Sequence, residues 1–257
     1  MTRYLQIIAA VLPGIVTPGV ALAQDEQAPQ LMVAPIETFT CNYVDGKGPA
    51  DLDGVIDDWN KWSDKKKLNQ YFAMTMTPQY FGANYRFDVG WLGAWTDGAA
   101  MGRETDVWTS EGADVAAKFA SVVDCDTHSN FASVQLKSPG EGPAPDKLVV
   151  TFSDCNIMEG VEFDDLMAAL NEWSAYQEEK GYGNGAWILF PVYGGGGAEF
   201  DFKLVDGYDS YAELGADYDR YGNGGDYVKF DELLGGKMEC DDARVYDGIV
   251  RRRSAPQ

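Results

Sequence analysis

One histidine, four cysteines and half as many basic as acidic side chains (20 Lys and Arg against 41 Asp and Glu) occur in 257 residues. Each shortage closes off some chemistry. A lone His128, without a His-x-x-x-His pair, argues against a zinc site and against a Ser-His-Asp system. There is no GxxxxGK[ST] phosphate loop. Gly194–Gly197 is followed by no helical pattern, so it reads as a hairpin linker rather than a dinucleotide site. A formal net charge of -21 repels nucleic acid and anionic lipid. Beyond residue 23 no apolar run is long enough to span a membrane. Asp51-Leu-Asp53-Gly and Asp217-Tyr-Asp219 lack the twelve-residue spacing and closing Glu of a calcium loop. No metal and no cofactor is expected.

What is present begins with a targeting pattern. Arg3 precedes an apolar stretch, Leu5 to Ala23, interrupted by Pro13 and Pro18 and ended by Ala21-Leu22-Ala23. This reads as a signal peptide over 1–23, cleaved before Gln24. Losing Arg3 and no acid takes the charge from -21 to -22. Export makes the four cysteines candidates for disulfides rather than metal ligands. The destination is periplasmic or extracellular.

Residues 24–35 are polar, with Pro29 and Pro35, and read as a flexible leader. The rest is written twice. Cys41-Asn42-Tyr43-Val44-Asp45-Gly46 leads into a helical stripe of Leu52, Val55, Ile56, Trp59 and Trp62, with Asp51 or Asp53 as N-cap. Cys155-Asn156-Ile157-Met158-Glu159-Gly160 leads into Phe163, Leu166, Met167, Leu170 and Trp173. Pro78, Tyr80, Gly82 and Asp88 match Pro191, Tyr193, Gly195 and Asp201 at one offset of 113. The spacing predicts strands over 36–42, 71–77, 86–95 and 130–136, and again over 147–155, 186–193, 199–205 and 244–250. A helical region over 99–123 breaks near Gly112; its counterpart over 210–234 breaks at Gly222–Gly225. The two units, 36–137 and 147–250, are separated by a Pro- and Gly-rich linker, 138–146, and followed by a polar tail, 251–257.

Strand–helix–strand–strand–helix–strand is the split β-α-β motif. The fold class expected is therefore α+β: two tandem ferredoxin-like repeats, helices on one face of each sheet, packed sheet to sheet through the bare faces. This order resembles the dimeric α+β barrel superfamily, whose members pair two such sheets. In that topology the first and last strands of a unit are neighbours. Cys41 then meets Cys125, and Cys155 meets Cys240, one disulfide per repeat.

Candidate site residues follow from the same layout. Asp88 and Asp201 fall on the strand face expected to point between the sheets, with Arg86 and Lys203 as partners. Tyr80 and Tyr193 would line the mouth of that space. Asn42 and Asn156 stand at a strand end and cap a turn or meet a ligand. His128, whose counterpart is Ala243, sits in an expected surface loop. Aromatic content of 13% and the poverty in His favour a non-catalytic exported module that binds a small apolar or aromatic ligand, or a protein, between the repeats. The alternative implied by the resemblance is an oxygenase-like or haem-handling enzyme of the α+β barrel type, using Asn42, Trp91, Trp95 and His128.

Overall fold

A computed structural model describes residues 32–83, 85–140, 145–195 and 197–254. The expected targeting segment, most of the leader, the middle of the linker and the last three residues lie outside these. The elements are β1 (Val33–Tyr43), α1 (Pro49–Lys66), β2 (Tyr71–Tyr80), β3 (Val89–Trp95), α2 (Gly98–Glu111), α3 (Ala113–Ala120) and β4 (Val123–Lys137) in the first half. The second half holds β5 (Lys147–Ile157), α4 (Phe163–Lys180), β6 (Gly185–Tyr193), β7 (Phe202–Tyr208), α5 (Tyr211–Gly222), α6 (Tyr227–Leu234), β8 (Met238–Cys240) and β9 (Arg244–Arg252).

Local chemistry explains most boundaries. Helix α1 starts earlier than its aspartates suggest. Pro49 takes the first helical position, where its missing N–H costs nothing, and Asp51 accepts from the Gly48 N–H at 3.1 Å. Its buried stripe is Leu52, Val55, Ile56, Trp59 and Ser63. The break between α2 and α3 falls at Gly112, where a Cβ would stand 2.5 Å from the Trp108 carbonyl oxygen. Strand β2 runs through Pro78 to Tyr80, with a register shift against β9 between those residues. Strand β3 begins at Val89, later than the alternation implied, so Arg86 and Asp88 lie outside it.

The sheet topology corrects the expectation of two sheets stacked face to face. The first half has the hydrogen-bonded order β4-β1-β3-β2, and the second has β9-β5-β7-β6. Pairing of β4 with β6 and of β2 with β9 joins them into one closed ring of eight strands, with β8 a short addition along the end of β5. The reason is the edges. An edge strand presents a row of unpaired N–H and C=O groups, and two open sheets would carry four such edges. Closure pairs all four. The bare faces then line the interior, filled by Met74, Met76, Leu92, Phe131, Phe152 and Leu189 among others. The space between the halves, expected to hold a ligand, is packed core.

Two further corrections concern the ends of the halves. Strand β4 extends back to Val123 and takes in Cys125 and His128. Arg251 and Arg252, read as the start of a tail, belong to β9 and clasp the first half. Arg251 Nε donates to Thr75 Oγ1 at 2.8 Å, and Arg252 donates to Asn60 Oδ1 at 3.2 Å and to the Leu68 carbonyl at 2.5 Å. Both disulfides form as expected, Cys41–Cys125 and Cys155–Cys240, each between residues directly opposite in a ladder. Among the described residues no helix is long and apolar enough to cross a membrane.

The second half buries a polar cluster beneath α4 and α5. Asn184 Nδ2 donates to Asp206 Oδ1 at 2.7 Å, and the Lys137 ammonium donates to the Tyr182 and Asn184 carbonyls. Burial pushes the Asp206 carboxyl up to about 6, with Asp217 adding to the rise and the Asn184 bond and Lys137 opposing it.

Two outcomes are expected. Non-reducing peptide mapping recovers only the two intra-half crosslinks, and replacing either pair by alanine lowers stability by about 2–5 kcal/mol in denaturant melts. For Asp206, the unfolded carboxyl titrates near 3.9. Folded protein therefore holds the extra proton between there and about 6. The stability this gives is full at acid pH and fades as pH rises through that window. Asp206→Asn should gain in Tm relative to wild type from pH 4 to pH 7; a constant difference would count against it.

Candidate functional site

A cavity lies outside the ring, under the helices of the first half. The outer face of β1, β2, β3 and β4 forms its floor and α1, α2 and α3 its roof, enclosing about 450 Å3. That is a small-molecule volume. Five of the seven tryptophans line it: Trp59, Trp62, Trp91, Trp95 and Trp108. Their edges meet faces, Trp59 on Trp91 at 5.3 Å and Trp91 on Phe119 at 5.9 Å.

A polar chain runs through this aromatic lining. Alternation along β1 puts Glu37 and Phe39 on the helix side, and the ladders set Phe39 opposite both Trp91 and His128. Trp91 Nε1 donates to the Tyr71 hydroxyl at 2.8 Å, and Tyr71 donates to Glu37 Oε1 at 2.5 Å. The other carboxylate oxygen of Glu37 lies 2.8 Å from His128 Nε2. Phe39 stacks flat on the His128 ring, centroids 3.8 Å apart. Burial first, then the negative Glu37 beside it, raise the Tyr71 phenol well above its ordinary value, so it stays a donor. The His128 side chain is 57% exposed, which gives the chain an outlet to water.

The second half shows what makes the cavity. At the offset of 113, Asp206 stands where Gly93 stands, and Asp217 where Glu104 stands. Glu104 Oε1 accepts from the Gln70 N–H at 3.0 Å, and Asp217 Oδ1 from the Gly183 N–H at 3.3 Å, so this anchor is kept in both halves. The glycine is not kept. A Cβ at Gly93 would sit 1.7 Å from the Tyr71 hydroxyl oxygen. Glycine there lets the Tyr71 ring cross β3 to reach Glu37. In the second half Trp173 is instead surrounded by Tyr176, Tyr182, Tyr221 and Phe230, and about 90 Å3 remains.

Of the residues singled out from the sequence, His128, Trp91 and Trp95 line this cavity, His128 on β4 rather than in a loop. The remaining candidates lie elsewhere. Asp88 and Asp201 are exposed and hold the backbone of their own halves: Asp88 accepts from the Tyr43 N–H and Asp201 from the Ile157 N–H, both at 2.8 Å. Lys203 pairs with Asp154, not Asp201. Tyr80 and Tyr193 are 61% and 65% exposed. Asn42 and Asn156 sit within β1 and β5, donating to Asp126 Oδ2 at 3.2 Å and to the Glu199 carbonyl at 3.4 Å. Glu37, Tyr71 and Glu104 are functional candidates that sequence reasoning missed.

Gly93→Ala tests the Tyr71 placement. The added methyl must push the ring aside, and overpacking of this kind costs about 1–3 kcal/mol. The expected result is a lowered Tm with altered near-ultraviolet circular dichroism from the tryptophans. An unchanged spectrum would mean that Tyr71 does not need the gap.

No family model and no curated protein matches the chain. Solved structures do. A protein from Lactobacillus acidophilus described as a candidate monooxygenase shares 10% identity at a TM-score of 0.52, over 86% of this chain and 95% of that one. A second candidate monooxygenase, from Fusobacterium nucleatum, shares 8% at 0.51, over 86% and 93%. An arginine variant of the chlorite dismutase of Candidatus Nitrospira defluvii shares 8% at 0.50, over 84% and 90%. At such identities the likeness is one of fold, that of the dimeric α+β barrel proteins. These neighbours, with the filled interior of the ring, overturn the expectation of a non-catalytic module binding between the repeats; the enzyme-type alternative is the better supported of the two.

Proposed function

We propose that the chain is an exported enzyme of the oxygenase-like α+β barrel type, built from two ferredoxin-like copies, 36–137 and 147–250, after loss of residues 1–23. Its active site is the first-half cavity and its substrate a small aromatic molecule. The observation that carries this is the hydrogen-bonded chain Trp91–Tyr71–Glu37–His128 on the wall of an otherwise aromatic cavity. The oxygenase element rests on likeness of fold.

The residues suit proton abstraction. Glu37 receives Tyr71 on one oxygen and the His128 Nε2–H on the other, which fixes the imidazole tautomer and leaves Nδ1 as acceptor. The stack on Phe39 fixes the ring plane. A phenolic or activated C–H proton taken up by this pair passes to solvent through the exposed His128, and the electron-rich substrate anion is the species that dioxygen then oxidises. One oxygen atom enters the ring and the other leaves as water, the substrate giving up all four electrons, so that a dihydroxynaphthalene and O2 yield a hydroxynaphthoquinone and water.

A haem does not fit these residues. The ring of His128, the one histidine of the sequence, lies flat against Phe39. Two carboxylates, Glu37 and Glu104, face the cavity, where propionates would be repelled. Among the described lining residues Arg252 is the one Lys or Arg, and it is engaged by Asn60, Leu68 and Asp64.

The test is oxygen uptake with dihydroxynaphthalenes. Wild type should exceed the protein-free rate, and Glu37→Gln should lower kcat by about a hundredfold or more, the scale of general-base catalysis. Uptake no faster than autoxidation, or a Glu37→Gln enzyme equal to wild type, would sink the reading.

A further inference from the structure

Six buried side-chain polar atoms find no hydrogen-bond partner among the described residues, and four belong to residues lining the first-half cavity: Ser63 Oγ, Trp95 Nε1, Glu104 Oε2 and Arg252 Nε. Ser63, Trp95 and Glu104 are 1%, 8% and 9% exposed. Buried polar atoms are nearly always paired, so each such atom calls for an explanation. These four gather around the entry to β2. Ser63 lies near the end of α1, Glu104 accepts from the Gln70 N–H, Trp95 is the ladder partner of Tyr71, and Arg252 donates to the Leu68 carbonyl.

The second half holds the same buried carboxylate in a different setting. The counterpart of Glu104, Asp217, takes the same backbone bond and Arg220 NH1 at 2.7 Å, both on Oδ1, while Asp217 Oδ2, like Glu104 Oε2, has no partner among the described residues. At the offset of 113 the residue in the place of Arg220 is Val107. The first half thus keeps the buried carboxylate without that cation, and in the half where a cavity opens beside it. A carboxylate oxygen can only accept, and an indole N–H can only donate. A group that satisfies both must donate and accept at once without bringing a second charge next to Arg252.

We infer that the β2 end of this cavity is a subsite for a neutral hydroxyl carried on the aromatic ligand, which donates to Glu104 and accepts from Trp95. The inference rests on the cavity being the ligand site and adds which substrates it selects: hydroxylated aromatics over their bare, methylated or charged analogues. It also gives the ligand a direction, with the hydroxyl at Glu104 and the rest of the ring system extending toward Glu37 and His128.

The experiment is a binding series on the mature protein, followed by quenching of tryptophan fluorescence and by calorimetry, with 2-naphthol, naphthalene, 2-methoxynaphthalene and 2-naphthylmethylammonium. A hydrogen bond to a charged group carries enough free energy for 2-naphthol to bind about tenfold tighter than the other three. Glu104→Gln and Trp95→Phe should each bring the ratio of 2-naphthol to naphthalene affinity close to one, whatever either change does to the absolute affinities. Thermal melts of both variants, with naphthalene binding as the internal reference, separate loss of the subsite from loss of the fold. Equal binding of naphthol and naphthalene, or tightest binding of the ammonium, would overturn the hydroxyl assignment while leaving the cavity as a ligand site. No binding of any probe would overturn both.

Discussion

Everything in this molecule depends on four strand edges finding one another. Each half alone is a four-stranded sheet with two open rims, and backbone groups left unpaired in a stable fold are costly. Pairing β4 with β6 and β2 with β9 removes all the rims together. One consequence is that the interior becomes a closed apolar core with no room for function. Another is that the helices, on the outside, are the only layer that can lift away from the sheet and leave a cavity. A site between helix and sheet is what this topology permits once the ring is closed.

The two halves then use the same position differently. Both hold a buried carboxylate against the backbone entering their second strand. In the second half aspartate, asparagine, lysine and arginine fill the neighbourhood, and four aromatic rings close over Trp173. In the first half a glycine replaces the aspartate of β7, a tyrosine ring crosses in the gap, and tryptophans stand apart around empty volume. One half is filled and the other is left with a cavity. The substitution that separates them, glycine against aspartate, sits at a matched position in each copy.

Much of the architecture was legible. Element order, the break at Gly112 and both disulfides follow from periodicity and from the repeat itself, because matched copies must fold alike. The site was less legible for the same reason. Comparing copies draws attention to shared residues such as Asp88 and Asp201, and shared residues serve the shared fold: each bonds the backbone two residues beyond its cysteine. Glu37 and Tyr71 are 34 residues apart, and Glu37 and His128 are 91 apart. Their meeting depends on strand register, which composition does not display. His128 was misplaced because Cys125 was taken to precede the last strand, whereas β4 starts at Val123. Closure escaped notice because the pairing of β4 with β6 and of β2 with β9 leaves no local mark in either strand.

The clasp made by Arg251 and Arg252 bears on how the molecule is made. These residues belong to the last strand, yet they fasten α1 and the loop before β2, some 190 positions earlier (191 for Asn60 and Arg251). The cavity's walls are thus made well before the strand that fastens them, and a chain cut short anywhere before β9 carries all five tryptophans of the lining but never the arginine that holds α1.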